Sequence, residues 1–359
     1  MSDVAPGLIL RETEPDNLEY PFSNLEVDGP ITPNGRFYIR DHFNPPEIDR
    51  KTWRLSLQGA VAHSIELSLE DIKTFPRVTH TALLECSGNS RAFLTPKKEG
   101  VAWELGGLGC ARWTGVSLAT ILDRAGVNAS AVEIVLEGAD HGTPEKTNKP
   151  KGEIHYAHSL PMADARRPEV LLAYEMNGEA LPDAHGGPLR AIVPGWYAMA
   201  SVKWLRRILV MERPFHGYFQ TVEYAYWAAQ NGAPPERVPI TRLPVKSQIA
   251  RPAMREVIAA GSNYRVFGAA WAADSAIAKV EVSSDGGKTW GRAKLLGEAF
   301  DHAWRLWEFE WQPKDTGTYT LLSRATDAQG HTQPAEHDQD HEAYIIHHTL
   351  PITVMVEVA

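Results

Sequence analysis

Along this chain hydrophobic positions recur mostly every second residue, the spacing of strands buried on one face. Residues 53–57 and 132–136 alternate in this way, and 79–85 is a mostly apolar run of strand length. Two stretches, 69–75 and 118–125, carry a helical period instead. Ser68 stands as N-cap of the first with Asp71 three residues on, an approximate capping box, and Ser117 is placed to cap the second. Beyond 132–136, Glu137-Gly138-Ala139-Asp140 reads as a turn presenting Asp140 at a strand end. The polar, Pro-containing sequence running from there to about residue 160 is too long for a simple connection, and is expected to rim a site. Residues 1–29, rich in Glu, Asp, Asn and Pro without periodicity, read as an extended segment lying over the domain.

The pattern changes after Pro234-Pro235 and Pro244, which mark a linker. Short strands follow at 266–271, 277–282, 304–311 and 319–324, with Asp285-Gly286-Gly287-Lys288 as a hairpin signal. Regularly spaced short strands predict an immunoglobulin-like sandwich, here without the paired cysteines of antibody domains. A chain of 359 residues is long for one domain. The expected organisation is an α+β domain at 30–245 followed by an all-β sandwich at 250–359.

Composition narrows the partners. With 43% hydrophobic and 23% charged residues the chain is an ordinary globular protein, and its net charge of −9 argues against nucleic acid or an anionic membrane surface. An anionic substrate therefore needs a locally positive pocket. No run of about 18 apolar residues offers a membrane span. The first residues show neither a basic n-region nor twin arginines, so a cytoplasmic location is expected, or a periplasmic one if an export signal has been removed. Two cysteines make no disulfide framework, and Cys110 is expected to be a small core residue.

The other cysteine carries the chemistry. Leu84-Glu85-Cys86-Ser87-Gly88-Asn89-Ser90-Arg91 sets a thiol, a soft donor suited to a polarisable metal, beside a tight turn and an arginine. A zinc site would want four protein ligands, and no Cys-x-x-Cys pair is present. A metal at Cys86 would thus be carried by a cofactor; an inert buried thiol is the alternative reading. Far downstream, His185-Gly186-Gly187-Pro188-Leu189-Arg190 leads into Ser201-Val202-Lys203-Trp204.

Together with Cys86 and the Arg40-Asp41-His42 triplet, these blocks resemble the molybdenum domain of the sulfite oxidase family, from about residue 30 to the C-terminus. The resemblance implies molybdenum held by molybdopterin, with Cys86 as metal ligand and His42, Asp140, His185, Arg190, Ser201 and Lys203 as cofactor contacts. It implies Arg40, Arg91, Trp103 and Tyr224 as the substrate-pocket residues, and a homodimer formed through the C-terminal domain, which is expected to act mainly in association. The implied reaction oxidises sulfite, or a similar small sulfur-containing anion, to sulfate. Planar guanidinium groups suit such an anion. No Cys-x-x-Cys-His motif attaches a haem, so electrons are expected to leave to an external acceptor, a cytochrome or oxygen.

Two departures from the vertebrate form stand out. Ser90 occupies a position where that form has an arginine, and no Lys or Arg follows Arg324. The tail carries His331, His337, His341, His347 and His348 instead, either to replace a missing pocket charge or simply as a solvated loop. Rival readings are a sulfoxide reductase or sulfur dehydrogenase on the same scaffold, and a metal-free immunoglobulin-like binding protein.

Overall fold

The computed structural model describes residues 7–144, 149–230 and 233–358. Strand Arg77–Glu85 pairs antiparallel with Leu108–Ser117 along its whole length, from Arg77 opposite Val116 to Glu85 opposite Leu108. Its first half is half-exposed, and its last four residues are buried, so the chain delivers Cys86 into the interior. Leu171–Met176 and Glu179–Ala180 complete this sheet, with Arg190–Ile192 also pairing with Leu171–Met176. A second sheet runs Ile65–Leu67, Leu55–Gly59, Leu205–Met211, Glu133–Gly142, Ile154–Pro161. Leu55, Leu57, Ile134 and Leu136 are its buried faces, as the alternation predicts.

The capping box forms: Ser68 Oγ accepts from the Asp71 amide at 3.1 Å, and the Asp71 carboxylate accepts from the Ser68 amide at 2.9 Å. The helix it starts, Leu69–Lys73, stops two residues short of the predicted 75. The second helix is Leu118–Ala125, ended by Gly126 in the left-handed conformation. Ser117 is its N-cap, but its side chain makes no capping bond.

Three expectations change. Asp140 does not sit in a turn: the strand continues to Gly142, and the register slips between Glu137 and His141, a bulge in place of the turn. Gly138 allows it, since a Cβ there would lie 2.3 Å from Asp140 Oδ1. Of the expected rim, 143–144 and 149–153 are loop, 145–148 lie outside the described residues, and the rest belongs to the two strands; its first residues, 141–144, do border the cleft. Pro234-Pro235 lies within strand Ala233–Pro239, which hairpins with Ala225–Gln230 in a two-stranded sheet, where prolines leave few ladder bonds unmade. Third, residues 7–29 are more than a covering lead. Ile9–Glu12 pairs with Asn17–Glu19, and Leu18 exchanges backbone bonds with Ile39 at 2.9 and 2.8 Å.

Beyond residue 245 two sheets pack face to face. One runs Lys246–Arg251, Tyr264–Trp271, Arg305–Trp311, Lys294–Leu295, and the other Val257–Ala259, Ile352–Glu357, Gly317–Asp327, Ile277–Ser283, Gly291–Arg292. Val266, Val280, Trp307, Leu321 and Val354 share the core between them. The hairpin signal at 285–288 joins Ile277–Ser283 to Gly291–Arg292. This sandwich also enters the main core through Phe267, Trp271, Trp304, Tyr344 and Ile345. No helix among the described residues is long and apolar enough to cross a membrane.

Candidate active site

Cys86 begins the turn that follows its strand. Its amide donates to Gly107 O at 2.8 Å, its carbonyl accepts from the Asn89 amide at 2.9 Å, and the Arg91 amide donates to Gly88 O at 3.0 Å. Gly88 lets the Arg91 guanidinium lie against the turn, since a Cβ there would come within 2.1 Å of Arg91 Nη2 and push that side chain away. The thiol is 8% exposed and lines the central cleft. Cys110 is fully buried, and burial pushes its thiol up to about 12, the inert core residue expected.

The cleft lies between segment 37–42, the Cys86 turn and residues 185–204. Three cations, Arg40, Arg190 and Lys203, face two carboxylates, Asp41 and Asp140, on its walls. An acidic protein thus holds a locally positive cavity. Arg190 donates to His185 O at 2.9 Å and Ser201 O at 2.8 Å, and stacks 5.1 Å from the Trp113 ring. Burial lowers it to about 10, which leaves it charged. Lys203 bonds Asp41, donates to Ala184 O at 3.1 Å and sits 4.2 Å over Trp204. His185 is pushed down to about 3 by burial, hence neutral; Nε2–H donates to Asn34 O at 2.9 Å, leaving Nδ1 as an acceptor. Ser201 Oγ accepts from the Val193 amide at 3.0 Å and fixes this wall. Burial raises Asp140 to about 7, although Lys203 opposes the shift.

Toward solvent, Arg40, His42, Cys86, Arg91 and Tyr224 line a wider mouth. Arg91 is buried, donates to Ala343 O at 3.0 Å and Val101 O at 2.9 Å, and lies 5.1 Å from the Tyr344 ring. Among the described residues neither Arg40 nor Arg91 forms a salt bridge, so both keep their charge for an anion. Tyr224 bonds His42 Nε2, and burial holds its phenol well above the usual range, so it stays protonated.

Ten of the eleven residues singled out from sequence meet on these walls. Trp103 does not: it is fully buried behind Tyr38, their rings 6.1 Å apart, and Tyr38 is one of the aromatics that face the cleft. None of the five tail histidines lines either part of the cleft; Tyr344 does. Sequence reading also missed Asn17, whose Oδ1 accepts from the Asp41 amide at 2.9 Å and from Arg40 at 3.3 Å. Nothing within the unpatterned first residues marked it. Asp41 stood in view inside the Arg40-Asp41-His42 triplet; its role as Lys203 partner needed the fold.

Residues 42–219 match the family model described as an oxidoreductase molybdopterin-binding domain, and 237–344 match the Mo-co oxidoreductase dimerisation domain. Fold and cleft together define a molybdopterin oxidoreductase. The chain is 36% identical to human mitochondrial sulfite oxidase over 350 residues, covering 92% of this chain and 62% of that one. It is 31% identical to the sulfite oxidase of Arabidopsis thaliana, covering 92% and 88%. The sulfane dehydrogenase SoxCD of Paracoccus pantotrophus superposes with a TM-score of 0.82 at 27% identity, covering 97% of this chain and 88% of that one. The chain belongs to the sulfite oxidase family, whose cofactor is molybdenum held by molybdopterin. It spans about three fifths of the length of the human relative.

The residues present fit that group. Buried on the cleft walls, Asp140 Oδ1, Arg190 Nε and Ser87 Oγ have no hydrogen-bond partner among the described residues. They are polar atoms of the kind a pterin's amides and phosphate satisfy.

Proposed function

We propose that this chain oxidises sulfite to sulfate and passes two electrons to an external acceptor. The observation that carries the reading is one accessible thiol, Cys86, facing a cavity whose cations are only partly neutralised. Cys86 would supply the protein's soft donor to the metal. Arg190 and Lys203 would hold the cofactor's phosphate and ring system, His185 Nδ1 and Asp140 would accept from its amides, and Ser201 and His42 would shape its seat. When bound, the group supplies the two-electron redox chemistry.

Arg40 and Arg91 would orient the substrate anion and stabilise charge that develops on its oxygens. Tyr224, kept protonated and directed by His42, offers an O–H donor at the same mouth. Trp103, fully buried and away from the mouth, is left out of the substrate contacts. The cofactor domain at about 30–245 and the sandwich at about 250–359 would assemble as a homodimer through the latter. The likeness to SoxCD favours a second reading, oxidation of a sulfane sulfur.

Molybdenum and pterin analysis of the purified protein, followed by ferricyanide reduction with sulfite and with a thiol-bound sulfane as competing substrates, tests the proposal. Stoichiometric molybdenum with turnover on sulfite supports it. Turnover on the sulfane alone replaces it with the second reading, and absence of molybdenum and pterin after expression in a cofactor-producing host removes both.

A further inference from the structure

The first strand of the sandwich, Lys246–Arg251, runs directly beneath the Cys86 turn. Lys246 Nζ donates to Glu85 Oε1 at 2.8 Å, and both side chains are only 1% exposed. Trp271, opposite Lys246 on the neighbouring strand, donates from Nε1 to Glu85 Oε2 at 2.8 Å. Asn89 Nδ2 donates to Glu85 Oε1 at 3.0 Å, and Asn89 Oδ1 accepts from the Gly107 amide at 3.0 Å. On the far side of the turn Ser90 Oγ accepts from Lys246 at 3.3 Å and Gln248 Nε2 at 3.1 Å. Ser90 holds φ +80°, a left-handed conformation that costs a serine energy unless its surroundings impose it.

Cys86 therefore lies between two anchor points, Glu85 just before it and Ser90 four residues after, both held by side chains of the other domain. An apolar pair of similar volume would serve stability as well or better than two buried charges. What the ion pair adds is direction: five hydrogen bonds from fixed donors converge on Glu85 and Ser90, and they leave the turn one geometry.

We propose that Lys246, assisted by Gln248, is a positioning residue for Cys86, so that the sandwich domain builds the metal-binding turn besides serving assembly. This rests on the reading of Cys86 as the metal's protein ligand. The consequence is that Cys86 is aimed into the cleft before any cofactor arrives, and that undocking the domains disarms it.

Hydrogen exchange on the full-length, cofactor-free protein tests this without recourse to turnover. In Lys246→Met the amides of Cys86, Asn89 and Arg91 should exchange about tenfold faster than in the parent, while amides of Leu108–Ser117 bonded to Leu171–Met176 keep their protection. Gln248→Leu leaves the ion pair intact and should give a smaller, about threefold, acceleration confined to the same turn; it carries the test should Lys246→Met fail to fold. After loading with cofactor, Lys246→Met should lose about tenfold or more in kcat with KM for sulfite within about twofold, because Arg40 and Arg91 are untouched.

Unchanged protection of the turn, or acceleration spread evenly over both sheets, overturns the proposal. Failure of the underlying reading shows elsewhere: Cys86→Ser with parental turnover at equal molybdenum content would remove Cys86 as ligand while the exchange result stood.

Discussion

Arg40 and Arg91 face the same mouth but are held in different ways. Arg40 leans on Asn17 and on the carbonyl of Asp41, whereas Arg91 satisfies two carbonyls, Ala343 and Val101, from inside the protein. Each contact with a substrate anion is worth about 1.5–3 kcal/mol. Arg40→Gln and Arg91→Gln should therefore both lower kcat/KM for sulfite by about 10- to 100-fold. Arg91→Gln should also cost more stability than Arg40→Gln, on the order of 1–3 kcal/mol, because it orphans two carbonyls rather than one. Steady-state kinetics and urea denaturation of the two variants separate the effects; equal stability losses would contradict this account. Asp140 gives a pH signature. Its folded-state value, about 7, lies above the ordinary 3.8, so the folded protein binds the proton more tightly than the unfolded chain. Stability then falls as pH rises between those values, by about 1.4 kcal/mol per unit from this group. In the cofactor-free protein, Asp140→Asn should flatten the decline of Tm from pH 5 to 7; an unchanged slope would mean that Asp140 is not held protonated.

At the scale of elements, the two short helices make a paired test. Ser68 caps Leu69–Lys73 through a reciprocal pair of bonds, and Ser117 occupies the corresponding position of Leu118–Ala125 without one. Ser68→Ala should destabilise by about 1 kcal/mol, and Ser117→Ala by a few tenths at most. Denaturant midpoints measure the difference. The buried face of the second helix, Leu118, Ile121, Leu122 and Ala125, accounts for its standing without the cap, since packing outweighs any one terminal bond.

For the whole molecule, the sandwich is more than an association module. A chain cut after Val245 keeps every residue proposed to touch cofactor or substrate, losing only Tyr344 from the mouth, yet strips Lys246 and Trp271 from Glu85 and bares the main-core face that Phe267, Trp271 and Trp304 cover. Each large apolar side chain returned to water costs about 1.5–3 kcal/mol. The truncated chain should be insoluble or retain no molybdenum; a soluble, molybdenum-loaded monomer would show that the two domains are independent. Light scattering on the full chain at micromolar concentration should find a dimer, in keeping with the match to a dimerisation domain over 237–344. A strict monomer would remove that expectation.

Much of the fold and most of the site could be read in the sequence because they are local. Alternation at 53–57 and 132–136, the Ser68 capping box and the Cys86 turn each depend on residues within a few positions of one another, where propensity and burial act directly. The block from His185 to Lys203 could be read for the same reason. What escaped depends on pairing across the chain. Asp140 was placed in a turn because the bulge arises only against strand Ile154–Pro161. The resemblance puts Trp103 in the pocket, and only the fold shows Tyr38 standing between it and the cleft. Asn17 reaches Asp41 across 24 positions, and Lys246 reaches Glu85 across 161. Such contacts carry no local signature, since a buried charge is tolerable only once a distant partner has arrived to meet it. The sequence by itself determined the family and the side chains on offer to the cleft, because local motifs carry them; the tertiary structure decided which of them meet on its walls and which distant partners, Lys246 among them, pack against the Cys86 turn.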